Sequence, residues 1–302
     1  MKQNLKANFH LPGLFEFYDF YKIFLPVFYE NREFFYDFCD IGSIYGAPSD
    51  CIFGGGRIEN SDNDPNEILS LLQKYNISAR LTFSNSLISE EHLSDKRCNE
   101  LLKIFAGDDE HVQNGIIIYS DILLKYIKEN YNGFYFISTT TKVITDFDDF
   151  SSELNREEFK FVVPDFRLNK QFDKLEKLSF SQKEKTEFLV NECCDFACTD
   201  RKACYENVSR KALFDNVPDH VCGSKDAASG YMFSKAMKNK GFISIEDIKN
   251  IYMPMGFSNF KIEGRSLGSA LILEFILYYM TKPEYVLNVR EKIYLDNSLD
   301  LF

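Results

Sequence analysis

Short apolar runs alternate with amphipathic stretches along most of the chain. The runs DIGSIYG (40–46), SARLTFSN (78–85), GIIIYSD (115–121), GFYFIST (133–139), KFVVPDFRLN (160–169), EFLVNEC (187–193) and NFKIEGR (259–265) have strand length and composition. Segments such as PNEILSLLQKYN, SEEHLSDKRCNELLKIFA, SDILLKYIKENY and KQFDKLEKLS, which lie between them, repeat apolar residues at helical spacing. One helix start is well marked: Asp64 can cap, Pro65 suits the first turn, and Glu67 stands at the third position of a capping box. Ser244 before IEDIKNIY is a second cap. Strand–helix alternation with connections of this length predicts a parallel sheet. Seven strands are visible, and the pattern leaves an eighth to be found between 216 and 256. The expected architecture is α/β: a single (β/α)8 TIM-barrel-like domain over residues 1–302, with room for irregularity. A doubly wound open sheet is the alternative.

The strands differ from one another in a way that bears on chemistry. A parallel strand covered on both faces should be apolar throughout, and GIIIYS and FYFIS are. Three others alternate. Arg80, Thr82 and Ser84 interleave with Leu81 and Phe83; Asp165, Arg167 and Asn169 with Phe166 and Leu168; Lys261, Glu263 and Arg265 with Phe260 and Ile262. With the apolar set under the helices, the polar set must face the barrel interior. Unpaired charges are costly there, so these groups should meet each other or a ligand. Barrel active sites are built at the C-terminal strand ends, where Asn85, Asn169, Glu192 and Arg265 fall. This makes Arg80, Arg167 and Arg265 candidates for holding an anionic substrate, with Asn85 beside them. Glu192 and Glu263 are candidates for acid–base work. The competing reading is a purely structural ion-pair network.

Composition narrows the class. With 45% apolar residues and only 8 Pro and 15 Gly, disorder is excluded as a general description. Thirty Phe and 17 Tyr without a single Trp imply a bulky core. A net charge of −11 works against non-specific binding to nucleic acid or to an anionic membrane. The apolar run SALILEFILYYM (269–280) is too short to span a bilayer and contains Glu274, so it is expected to be a helix on the core. The first residues, MKQNLKANFHLPG, lack an apolar signal core, and the expected location is the cytoplasm.

That compartment sharpens the meaning of NECCDFACTDRKAC (191–204), which places Cys193, Cys194, Cys198 and Cys204 within twelve residues, with Cys222 soon after. Reducing conditions disfavour structural disulfides, and clustered cysteines there more often bind metal or do chemistry. Thiolates suit iron–sulfur clusters and zinc. Cys194, Cys198 and Cys222 form the natural set, with Cys193, Cys204 or a more distant group as the fourth ligand. Arg201 stands where a radical-SAM triplet would need its third cysteine, and the paired C-x2-C knuckles of a zinc ribbon are missing. Free thiols acting as small apolar residues are the alternative. Cys39, Cys51 and Cys98 are isolated and read as ordinary thiols. SDCIFGGGR (49–57) offers glycine backbone and Arg57 to an anion, or is simply a tight loop. His10, His92, His111 and His220 form no metal motif, and neither G-x-S-x-G nor H-E-x-x-H occurs.

FKIEGRS (260–266), together with EFLVNECC and the clustered cysteines, resembles the collagenase-like peptidase family of unknown catalytic type. LPGLFEFYD, SIYGAPSD, GGGR and RLTFSNS look like a barrel-only branch of it. The resemblance implies a TIM-barrel-like domain with a cysteine-ligated 4Fe-4S cluster, zinc being the alternative metal. It also implies oxygen-independent hydroxylation or a related change of a small-molecule, RNA or peptide substrate. Ligation carries over onto Cys194 and Cys198, with Cys222 next, while Lys261, Glu263 and Arg265 become pocket residues. A redox partner or a related barrel subunit would fit this reading. Peptide hydrolysis, and a non-catalytic cluster-bearing subunit, are the other functions to be weighed.

Overall fold

In the computed structural model, which describes residues 6–56, 63–107, 110–225 and 227–295, eight parallel strands form one sheet. They are β1 (Ala7–Pro12), β2 (Cys39–Gly46), β3 (Ser78–Phe83), β4 (Asn114–Ile118), β5 (Phe134–Ser138), β6 (Phe159–Val162), β7 (Glu187–Leu189) and β8 (Asn259–Lys261). Their order is β6-β5-β4-β3-β2-β1-β8-β7. A single parallel bridge from Val162 to Thr186 joins the two edges, so the barrel is nearly closed. The fold is therefore the single-domain (β/α)8 type that the strand–helix alternation implies.

The eighth strand lies at the start of the chain instead of between 216 and 256. β1 obeys the same rule as the other polar-lined strands: Ala7, Phe9 and Leu11 join the outer core, while His10 pairs with lumen groups. The described part of 216–256 holds only short helical pieces, α9 (Phe233–Ala236) and α10 (Ile245–Asp247) running into a π turn (Ile248–Tyr252).

The helices that cover the barrel are α1 (Tyr18–Glu30), α2 (Pro65–Lys74), α3 (Lys96–Phe105), α4 (Asp121–Asn130), α5 (Phe147–Leu154), the short α6 (Phe172–Leu175) and α7 (Phe180–Lys185), then α8 (Arg201–Ala212), α11 (Ser269–Tyr279) and α12 (Val286–Leu295). Both marked starts occur. Asp64 accepts the Asn66 N–H at 2.8 Å with Pro65 in the first turn, and Ser244 forms a reciprocal capping box with Asp247. SALILEFILYYM forms α11, with Ile272, Leu273, Phe275, Ile276 and Tyr279 buried and Glu274 bound to Arg290 at 2.6 Å. Among the described residues, no helix is long and apolar enough to cross a membrane.

Apolar packing falls into two bodies. A large outer core lies between strands and helices, rich in Phe and Tyr. A small inner one fills the lumen with Tyr45, Ile117, Tyr135, Ile137, Val163 and Leu189. The lumen also holds charge. Glu187 of β7 pairs with Arg80 of β3 at 2.6 Å and lies 3.5 Å from both His10 and Lys261, all of them buried. Arg80 also donates to the Tyr135 hydroxyl at 2.8 Å, which in turn bonds Ser78 at 2.8 Å.

Candidate functional site

Two strands extend beyond their backbone pairing through one asparagine. Past the end of β7, the Asn191 side chain accepts from the Glu263 N–H at 2.8 Å and donates to the Glu263 carbonyl at 3.2 Å. The amide thus imitates a further rung of the ladder and sets Glu192 and Glu263 side by side above the lumen. Glu192 is buried. One of its oxygens accepts the Cys194 N–H at 2.9 Å, and the other pairs with Arg201 at 2.6 Å. Burial alone would raise its carboxyl pKa, but Arg201 and these hydrogen bonds overcome that and hold it lowered.

The cysteine segment is fixed by its backbone. Cys194 O accepts from the Asn239 side chain at 2.7 Å, Cys198 O accepts from Arg167 at 2.8 Å, and Cys204 sits in the first turn of α8. This chain path winds around a cavity of about 510 Å³ at the C-terminal mouth of the barrel. Cys193, Cys194, Cys198, Cys204 and Cys222 all line it, together with Glu192, Glu263, Lys261 and Arg265. The volume suits a small molecule.

The other proposed site residues lie elsewhere. Arg80 is spent on Glu187 and Tyr135 in the lumen. Arg167 is bound to Asp165 at 2.6 Å and to the Cys198 carbonyl, so it props the cysteine turn from behind. Asp165, Arg167 and Asn169 do not continue β6. The strand ends at Val162, just before Pro164, and Phe166–Leu168 form a 3-10 turn. Asn85 donates to the carbonyls of Ile52 and Ser209, tying α8 to the barrel, and Asn169 does the same for Leu189 and Gly241. Arg57 lies outside the described residues. The glycines before it approach the barrel closely. A Cβ on Gly55 would lie 2.4 Å from the Ser84 backbone, and one on Gly56 would lie 2.9 Å from Arg265 Nη1.

Five groups at the cavity wall have a buried polar atom with no hydrogen-bond partner: Thr82 Oγ1, Ser84 Oγ, Lys261 Nζ, Arg265 Nη1, and Arg201 at Nε and Nη2, although Arg201 is ion-paired to Glu192 and Asp165. Arg265 is otherwise firmly held. It donates to Glu16 at 2.9 Å and to the Ala47 carbonyl at 2.8 Å, which leaves Nη1 unused. Lys261 Nζ lies over the Tyr45 ring, 3.6 Å from its centre. Desolvation, with repulsion from Arg80 and Arg265, lowers the Lys261 pKa to about 8 against the pull of Glu187. His10, desolvated and facing Arg80, is lowered to about 3 and is neutral. Formal charges along the cavity wall balance, with Glu192, Asp195, Asp200, Asp219 and Glu263 against Arg201, Lys211, Lys235, Lys261 and Arg265, but the unused hydrogens of Lys261 and Arg265 and the two hydroxyls are suited to an anion.

Sequence reading missed Glu16, which orients Arg265, and Arg201, which joins Glu192 to Asp165. A lone acid inside the apolar run LFEF was a signal for the first. Arg201 gave none, being one charge among many in TDRKAC.

Among the described residues, the one trio of metal-type donor atoms lying within 4.8 Å of one another is Glu192, Cys193 and Glu263. A zinc ion held by three of the clustered thiols would need them to converge tightly, and they line the wall more widely than that. Burial, then Glu263 and Glu192, push the Cys193 thiol up to about 12, so it resists ionising without a cation beside it.

No family model matches the chain, and no curated protein sequence matches it. Among solved structures it is similar to the U32 peptidase Mk0906, with a TM-score of 0.51 and 10% identity, covering 87% of this chain and 96% of that one. At this identity the likeness establishes the shared barrel fold.

Proposed function

We propose that this chain is an enzyme that takes a small acidic substrate at the barrel mouth beside a thiolate-held metal centre, best read as a 4Fe-4S cluster. The carrying observation is that all five cysteines between 193 and 222 open onto the same cavity as Lys261 and Arg265. Cys194, Cys198 and Cys222 would hold the cluster, with Cys204 or Cys193 as fourth ligand. When bound, such a group supplies one-electron transfer and an iron open to an oxygen donor, which suits oxygen-independent hydroxylation.

The chain's own residues supply the rest. Arg265 Nη1, with Thr82 and Ser84, would take an acidic group of the substrate. Glu192 and Glu263 can move a proton beside it, and Arg201 keeps Glu192 ionised and oriented. Arg167 holds the turn that presents Cys198.

Protein purified without oxygen should be brown, with about four irons and matching sulfide per chain. Cys194→Ala and Cys198→Ala should each remove most of the iron. Colourless, iron-free protein whose activity survives both substitutions would refute the cluster. The likeness to a U32 peptidase favours peptide cleavage as a second reading, under which a peptide would be turned over by iron-free protein. A purely structural subunit is disfavoured, because its lumen would be filled by paired side chains and no cavity would be left.

A further inference from the structure

We propose that Lys261 is a nucleophile that condenses with the carbonyl group of a small acidic substrate to form an imine at the barrel mouth. A buried lysine at the edge of this lumen needs an explanation, because burying an ammonium is costly unless it is well paired. Arg80 already pairs with Glu187 through Oε2 at 2.6 Å, whereas Lys261 Nζ reaches only Oε1, at 3.5 Å, and makes no hydrogen bond. As an ion-pair partner Lys261 is the weaker of the two, long and without the short contact that Arg80 makes.

As a nucleophile it is well provided for. A desolvated lysine beside other cations keeps part of its population as free amine near neutral pH, the condition for attack on a carbonyl. Its nitrogen rests over the Tyr45 ring and 3.5 Å from Glu187 Oε1, with no short hydrogen bond, and the residue lines the cavity, so the flexible stem can carry it there. Arg265 Nη1 lines the same cavity and would grip an acid group of the incoming molecule. Glu192 and Glu263 stand on that wall to relay protons.

The step balances without an oxidant or reductant. The amine lone pair forms a C–N bond to the carbonyl carbon, and the C=O π pair goes to oxygen, which takes a proton. The resulting carbinolamine then loses water as the C–O bond breaks and nitrogen gives up its remaining protons. The net change is amine plus carbonyl to imine plus water. The inference does not need the cluster.

The test is reductive trapping on the full chain, with pyruvate as probe and sodium cyanoborohydride as external reductant, read by intact mass and peptide mapping. The expected result is one reduced pyruvyl group per chain, on Lys261, equally in iron-loaded and iron-stripped protein. Lys261→Arg should abolish it, and so should Lys261→Met, with melting curves reported for both. Acetone, which lacks the acid group, should label about tenfold more slowly, one charge-assisted hydrogen bond being lost. Absence of the adduct from the wild-type chain would overturn the proposal, as would labelling spread over surface lysines. Equal rates for acetone and pyruvate would overturn the acidic substrate. Iron content is measured separately, so failure here and failure of the cluster reading are distinguishable.

Discussion

The interior of this barrel has two polar regions made by the same device, alternate residues of strands turned inward, and they have opposite characters. In the lumen, Glu187, Arg80, Tyr135 and Ser78 bond one another in a chain of contacts between 2.6 and 2.8 Å, with only Glu187 Oε1 left to the longer contact with Lys261. At the mouth, Thr82, Ser84, Lys261 and Arg265 each keep an atom without a partner. The contrast within β3 is the most instructive, since Arg80 is bound to both Tyr135 and Glu187 and Thr82, two residues on, has no partner. An inward polar residue reports function only when the fold leaves its hydrogen-bonding capacity unused.

The largest effect that would test this contrast is Glu187→Gln. It leaves Arg80 without its buried counter-ion and should cost about 3–5 kcal/mol, read from denaturant unfolding. If the stability hardly changed, the lumen network would not be structural.

Acid should attack the same network, in two stages. His10 is neutral in the fold but protonates near 6.5 in the unfolded chain, so the unfolded state binds more protons below that value. Stability therefore falls as pH drops from 6.5 towards 3, by about 2 kcal/mol at pH 5 from this group alone. Glu187, lowered to about 2 mainly by Arg80 against the cost of burial, adds a second loss between pH 4.5 and 2. His10→Gln should flatten the upper limb of a stability–pH curve and leave the lower one in place but reduced, since His10 also helps to hold Glu187 low.

Lys261→Met sharpens the comparison from the other side. Because its ammonium is buried and Glu187 keeps Arg80 as its close counter-ion, the change should be neutral or stabilise by about 1 kcal/mol in a thermal melt. It should nonetheless weaken the binding of acidic ligands. Thr82→Val and Ser84→Ala should have the smallest effect on folding, about 0.5 kcal/mol or less, since no hydrogen bond is lost. A loss of more than about 1 kcal/mol in either would show that the hydroxyl is structurally employed.

Much of the barrel was legible because strand period and helix period differ so plainly. Inward polar residues could be read from SARLTFS and NFKIEGR for the same reason. β1 escaped because NFHLP is short, and its one ionisable group, His10, reads as a stray histidine until Glu187, Arg80 and Lys261 surround it. VPDFRLN misled because a 3-10 turn after Pro164 preserves alternation without being a strand. Which arginine was free could not be read at all. It depends on Glu187, 107 residues from Arg80, and on Glu16, 249 residues from Arg265. The cysteines were visible as a cluster, but their convergence with the unused donors needed β7 and β8 to be neighbours. Cys51 and Cys98, read as isolated, lie with their sulfurs 3.0 Å apart.

The closure between β6 and β7 rests on the lone Val162–Thr186 bridge, while β1 and β2 are matched over six residue pairs. Breathing of the barrel will concentrate where the stitching is thinnest. That side leads directly into the thiol-bearing stretch, whereas Lys261 and Arg265 belong to the β8 side, anchored through β1. A bulky guest would be admitted by a yielding flank that carries the sulfur and would meet a rigid flank that carries the positive charge.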